Sequence, residues 1–213
     1  RVRLLPTGSR ESMDLHALPG PDGRPLAGAL PVTYALDLPG SAARGDGTAP
    51  ATALIVGDPR GDLPAARREA RRVGDRLRSH VGQPPSLLVG ADADLAGLRT
   101  GLEAADLFHY AGHAVFAGAG GWSSLLPLAG DGGLRVGDIL ALARAPRLVV
   151  LSGCETGRSG SGAPAQGIGI AHAFLAAGSE TVIAAARPVG DDLAALLTAR
   201  FYDQWTSGMD ADA

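Results

Sequence analysis

Two periods of hydrophobic and polar positions run along the chain. Ala53-Leu54-Ile55-Val56-Gly57 is a short uninterrupted apolar run closed by the turn Asp58-Pro59-Arg60-Gly61, which predicts a buried strand. Beyond the turn, Leu63, Ala66, Ala70, Val73 and Leu77 recur at three and four residues. That is the period of an amphipathic helix, and Asp62 is placed to cap it. The arginines between them (Arg67, Arg68, Arg71, Arg72 and Arg78) read as a solvated face rather than a nucleic-acid patch. The same strand-then-helix unit recurs. Ser86 to Gly90 is followed by a helix with Leu95, Leu98 and Leu102 inward, and Leu107 to His113 leads into a glycine-rich stretch from Gly118 to Gly133. A helix over about Val136 to Ala143 returns to Leu148-Val149-Val150-Leu151-Ser152. A helix ending at Gly178 and a strand from Thr181 to Ala185 come next, then a last helix with Leu193, Leu197, Phe201 and Trp205. Gly178 is suited to a helix C-cap. Five such units in strict alternation predict a mostly parallel sheet with helices on both faces.

Residues 1–50 break this rhythm. Arg1 to Pro6 and Val32 to Leu36 read as short strands, Pro19-Gly20-Pro21-Asp22-Gly23 as a turn, and Gly40 to Pro50 as a loop. The 213 residues, 46% of them hydrophobic, suit one globular domain with this N-terminal strand-and-loop segment. Because it starts at Arg1 rather than Met, the chain is expected to be part of a larger multidomain protein.

Composition then removes chemistries. A net charge of −3 gives no sign of direct nucleic-acid binding, and no apolar run has the length of a membrane helix. One cysteine excludes an internal disulfide and fits a reducing cytoplasm. The basic residues are all arginine, so a phosphate-loop lysine, a Schiff-base lysine and a Ser–Lys dyad are excluded. The absence of asparagine excludes a Cys-His-Asn triad. Gly57-Asp58-Pro59-Arg60-Gly61 also lacks the glycine spacing of a dinucleotide site.

The lone cysteine is informative by position. Cys154 follows the strand 148–152, and His113 follows the strand 107–111. If the two strands are neighbours, both residues leave the C-terminal edge of the sheet, where open α/β sheets place their sites. A histidine beside a thiol can take its proton and later give it to a leaving group. The alternative is that Cys154 is a small buried hydrophobe. Gly112 and Gly153, the small residues flanking the pair, would let a substrate backbone approach, and amides at these turns could bind an oxyanion. His109 and His113 are four apart but on a strand and its exit, so no metal site is read there, and no cofactor is expected; His109 is taken as a structural partner of the site. Asp191 and Asp192 either cap the last helix or place a carboxylate beside the dyad to select a cationic side chain. Arg187 would instead select an anionic one.

The blocks Leu54–Pro59 with Leu63, Pro64 and Glu69, Asp106–His113, Leu151–Gly157, and Ala177 through Asp191 to Tyr202 resemble, in that order, those of the CHAT domain. That family is a branch of the caspase-like cysteine peptidases that includes separase, gingipains and metacaspases. Asp14 to Pro19 also fits, so the resemblance covers nearly the whole chain. It implies a caspase-like three-layer αβα sandwich with a mostly parallel central sheet. His113 would be the general base and Cys154 the nucleophile of an endopeptidase acting on a protein substrate. Gly112, Ala114 and Gly153 would supply the backbone around the oxyanion, and Asp191, Arg187 and Glu155 the substrate pocket, with Asp191 favouring cleavage after Arg or Lys. Ala114 and Arg187 depart from the family, which usually has Gly and Trp at those positions. The expected setting is a regulated effector in a bacterial stress or antiphage response, with sensor or repeat domains of the same or an associated protein as partners. The alternative is a catalytically inactive caspase-like interaction module.

Overall fold

The computed structural model describes residues 2–4, 15–30, 32–34, 50–153, 169–185 and 189–208. Short strands β1 (Val2–Leu4) and β2 (Val32–Tyr34) pair in parallel as a separate ribbon. The main unit then runs β3 (Ala53–Gly57), α1 (Pro64–Leu77), β4 (Ser86–Val89), α2 (Leu95–Ala104) and β5 (Leu107–Ala111). A hairpin of β6 (Leu125–Pro127) and β7 (Gly133–Arg135) follows, then α3 (Val136–Leu140), β8 (Leu148–Ser152), α4 (Ile170–Ala176), β9 (Thr181–Ala184) and α5 (Asp191–Thr206).

Five strands form one sheet in the order β4-β3-β5-β8-β9, every pair parallel. Strands buried on both faces need apolar side chains on both, which is why β3, β5 and most of β8 are continuous runs rather than alternations. One face carries Ile55, Leu107 and Val150, packed with Ala70, Val73 and Leu77 of α1 and Tyr202 of α5. The other carries Leu54, Phe108, Tyr110 and Val149 packed with Leu98 of α2, Ile139 of α3 and Phe174 of α4. The result is a three-layer αβα sandwich with an all-parallel centre, the fold class that the sequence implies.

Two details fix its upper edge. Gly57 permits α1 to lie close on β3, since a Cβ there would fall 2.3 Å from that of Ala70. Asp58 follows with a φ of +48° and is fully buried. Its carboxylate accepts from the Leu63 amide at 2.8 Å and from Arg67 Nε at 3.0 Å, and this compensates the unfavourable backbone. Asp62 does not cap α1, which has no side-chain cap; Asp58 instead ties the turn to the residue before the helix, and Arg67 is a structural cation rather than part of a solvated face. The Gly118–Gly133 stretch is also more structured than its glycines suggest. It holds β6 and reaches β7, with Leu126 and Leu128 buried in the core. At the other end of the sandwich, Gly178 closes α4 with a φ of +107°, as its position in the sequence predicts.

Candidate active site

After β3 the chain moves outward to β4, then returns across β3 to β5. The strand order thus reverses between β3 and β5, and a crevice opens above their C-terminal ends. His113 leaves β5 into that crevice and Asp62 approaches from β3, with His113 Nε2 3.2 Å from Asp62 Oδ1. Both side chains are about half exposed. This pair was not legible in the sequence, where Asp62 reads as a helix cap.

The backbone carrying His113 is held from three sides. Gly112 N–H donates to Ser152 O at 3.2 Å, extending the β5–β8 ladder by one residue. Any side chain at Gly112 would collide with Tyr110 Oη at 2.8 Å and Pro59 Cδ at 3.1 Å, so only glycine allows the turn. The Tyr110 hydroxyl lies 2.7 Å from His113 O and 2.8 Å from Pro127 O, and its one proton bridges these two acceptors. Burial, with a smaller contribution from Asp62, pushes that hydroxyl far above its ordinary range, so it remains a donor.

The Gly112 amide is therefore committed to the sheet, and the role of Gly112 is steric rather than that of an oxyanion donor. The Ala114 amide makes no hydrogen bond among the described residues. Ala114 itself packs its methyl against the core, so its backbone remains available while its side chain points away from solvent.

His113 and Gly153 line the same cleft, with a volume of about 240 Å³. The cleft descends between α1, the ends of β8 and β9, and α5, past Leu63, Ala66, Val150, Ile183, Ala194 and Leu197. Its walls are mostly apolar, and Glu69 is their only carboxylate among the described residues. Glu69 is buried (5% exposed) beside His109 and Tyr202, which are fully buried. Tyr202 Oη lies 3.4 Å from His109 Nδ1, and His109 Nε2 lies 3.4 Å from Glu69 Oε1 without the direction of a hydrogen bond. Burial, reinforced by the Glu69 charge, raises the Tyr202 hydroxyl well above its ordinary value and keeps it protonated. His109 is thus a core residue between the site and α5, as the sequence suggests.

The strand pairing decides the relation between the two chemical blocks. Ala111 is in register with Ser152, so the exit of β5 towards His113 and the exit of β8 towards Gly153 lie side by side at one edge of the sheet. A CHAT-domain family model matches residues 1–213, the whole chain. The chain belongs to the CHAT-domain family. That family is of the caspase-like, peptidase-related kind, which agrees with the sandwich and with a histidine at the exit of β5. No curated protein matches the chain in sequence. Of the residues assigned to the CHAT site from sequence, Cys154, Glu155 and Arg187 lie outside the described residues, and Asp191 is the first residue of α5. No helix among the described residues is long and apolar enough to cross a membrane.

Proposed function

We propose that this chain is a cysteine endopeptidase domain in which His113 and Cys154 act as a dyad. The observation that carries the proposal is that His113 opens into the same cleft as Gly153, the residue directly before Cys154. His113 takes the thiol proton, and the thiolate attacks the scissile carbonyl carbon. The oxyanion is met by the Ala114 amide and by an amide at Gly153–Cys154. Collapse of the tetrahedral intermediate expels the amine, which receives the proton from His113. Water then enters with His113 as base and releases the acid, restoring the thiol. Asp62 accepts from His113 Nε2–H and leaves Nδ1 to face the nucleophile.

The substrate is a protein partner, cleaved after a basic residue. The family resemblance extends the proposal to a regulated effector of a bacterial stress or antiphage response, governed by sensor or repeat modules of the same or an associated protein in the cytoplasm.

The test is covalent labelling with peptidyl acyloxymethyl ketones bearing Arg, Asp or Leu at P1. In this reaction the thiolate forms a C–S bond at the methylene and expels the carboxylate. Labelling by at least one probe, lost in both Cys154→Ala and His113→Ala, is the expected result. Labelling that survives in His113→Ala overturns the dyad.

A further inference from the structure

Glu69 is left unexplained by the dyad. It is a carboxylate 95% buried by its 5% exposure, makes no hydrogen bond among the described residues, and lies in the wall of the cleft that His113 opens. Its nearest titratable neighbour is His109, whose Nε2 lies 3.4 Å from Oε1 without making a hydrogen bond to it. A buried carboxylate oxygen without a hydrogen bond is costly, and sites retain such groups where a ligand supplies the partner.

The shape of the cleft says which ligand. Leu63, beside Asp62 at the mouth, and Glu69 are six residues apart on α1, a descent of about 9 Å. Along β5 the step from His113 down to His109 is four residues, roughly 13 Å at strand rise, and Glu69 lies level with His109, 3.4 Å from it. A substrate group held at His113 therefore passes a long apolar wall before it meets a negative charge. The volume of about 240 Å³ exceeds the ~150 Å³ of an apolar cavity that accepts benzene. A side chain with an aliphatic stem and a cationic end fits both walls and floor, whereas an acidic one would meet Glu69 and a short one would leave it unpaired.

We propose that Glu69 is the specificity carboxylate of this cleft, pairing with the guanidinium or ammonium of a substrate arginine or lysine whose backbone lies at His113. The assignment rests on the peptidase reading and moves the basic-side-chain recognition expected at Asp191 to a residue on α1.

Agmatine, an arginine side chain with an amine in place of the backbone, separates the two readings because it binds without reacting. Calorimetry on the Cys154→Ala chain is expected to show agmatine binding, weakened at least tenfold in E69Q and by high salt. Binding that is absent, or unchanged in E69Q, overturns the assignment. Should E69Q fail to fold, A194L, which narrows the shaft from the half-buried face of α5 and leaves the carboxylate in place, is expected to lose agmatine; unaltered binding there overturns it equally. Ketone labelling supplies the independent arm. With the cysteine present, the Arg probe is expected to react at least tenfold faster than the Leu probe, and E69Q to remove that ratio. Agmatine binding that needs Glu69 in a chain no ketone labels would leave the basic pocket standing and remove the peptidase reading. Labelling with an Arg-to-Leu ratio that ignores E69Q would do the reverse.

Discussion

At the scale of single residues, the site is a set of side chains that hold one imidazole. Asp62 and His113 meet at 3.2 Å, with side chains 59% and 47% exposed. A pair so open to water contributes no more than about 1 kcal/mol, equivalent to roughly a fivefold change in rate. Asp62→Ala is therefore expected to slow ketone labelling of Cys154 by two- to fivefold without abolishing it. Asp62→Asn keeps an oxygen that accepts from Nε2–H, so it recovers part of the loss. The salt dependence tells orientation from charge: the wild-type rate falls as salt rises, and the Asn variant responds less. An Asp62→Ala rate equal to wild type would show that Tyr110 and Gly112 alone orient the imidazole. None of this was legible from residue types, because Asp62 and His113 are 51 positions apart and meet only through the order of β3 and β5. Glu69 did leave a sequence signal. It occupies the apolar stripe of α1 between Ala66 and Val73, and a charge on a buried face needs either a partner or a function.

At the scale of elements, the turn from β3 into α1 bears most directly on the cleft. It positions Asp62 and starts the helix that carries Leu63, Ala66 and Glu69. Its geometry depends on Asp58, whose buried carboxylate binds the Leu63 amide just before α1 and Arg67 while its backbone occupies the left-handed region. Asp58→Ala removes the acceptor of the Leu63 amide and the buried partner of Arg67, and it leaves a methyl-bearing residue at positive φ. The expected loss is about 2–4 kcal/mol in urea unfolding. Asp58→Asn keeps an acceptor for the Leu63 amide and tolerates the same φ, so its loss is expected to be about half as large. Equal losses would assign the effect to the charge alone. The sequence announced this turn through Asp-Pro-Arg-Gly, and it announced all five central strands and their helices. It misassigned Asp62 as a cap because an aspartate just before the apolar periodicity reads as one, whereas the path of the turn directs Asp62 towards His113 instead.

At the scale of the whole molecule, two buried titrations make stability depend on pH in separate windows. His172 lies half-buried on α4, on the face of the sheet opposite α1, and burial lowers its pKa below the usual histidine value. The unfolded chain then binds more protons than the folded one below about pH 6.5, so stability is complete above that pH and declines as pH falls towards the folded-state value. Asp106 joins β5 to β3 and to the loop after α3, accepting from the Ala51 and Thr52 amides and from Arg144. Burial raises its pKa, but the Arg144 hydrogen bond and charge and the two amides outweigh it, and the net shift is downward. Its stabilisation is present above about pH 4 and is lost only at lower pH. Both groups act in the same direction, one after the other. The melting temperature is thus expected to be level from pH 8 to 7, to decline below about 6.5, and to drop again below 4. His172→Gln should flatten the first decline and leave the second in place. Asp106→Asn should lower the melting temperature at neutral pH and flatten the second. A first decline that persists unchanged in His172→Gln would overturn its assignment to His172.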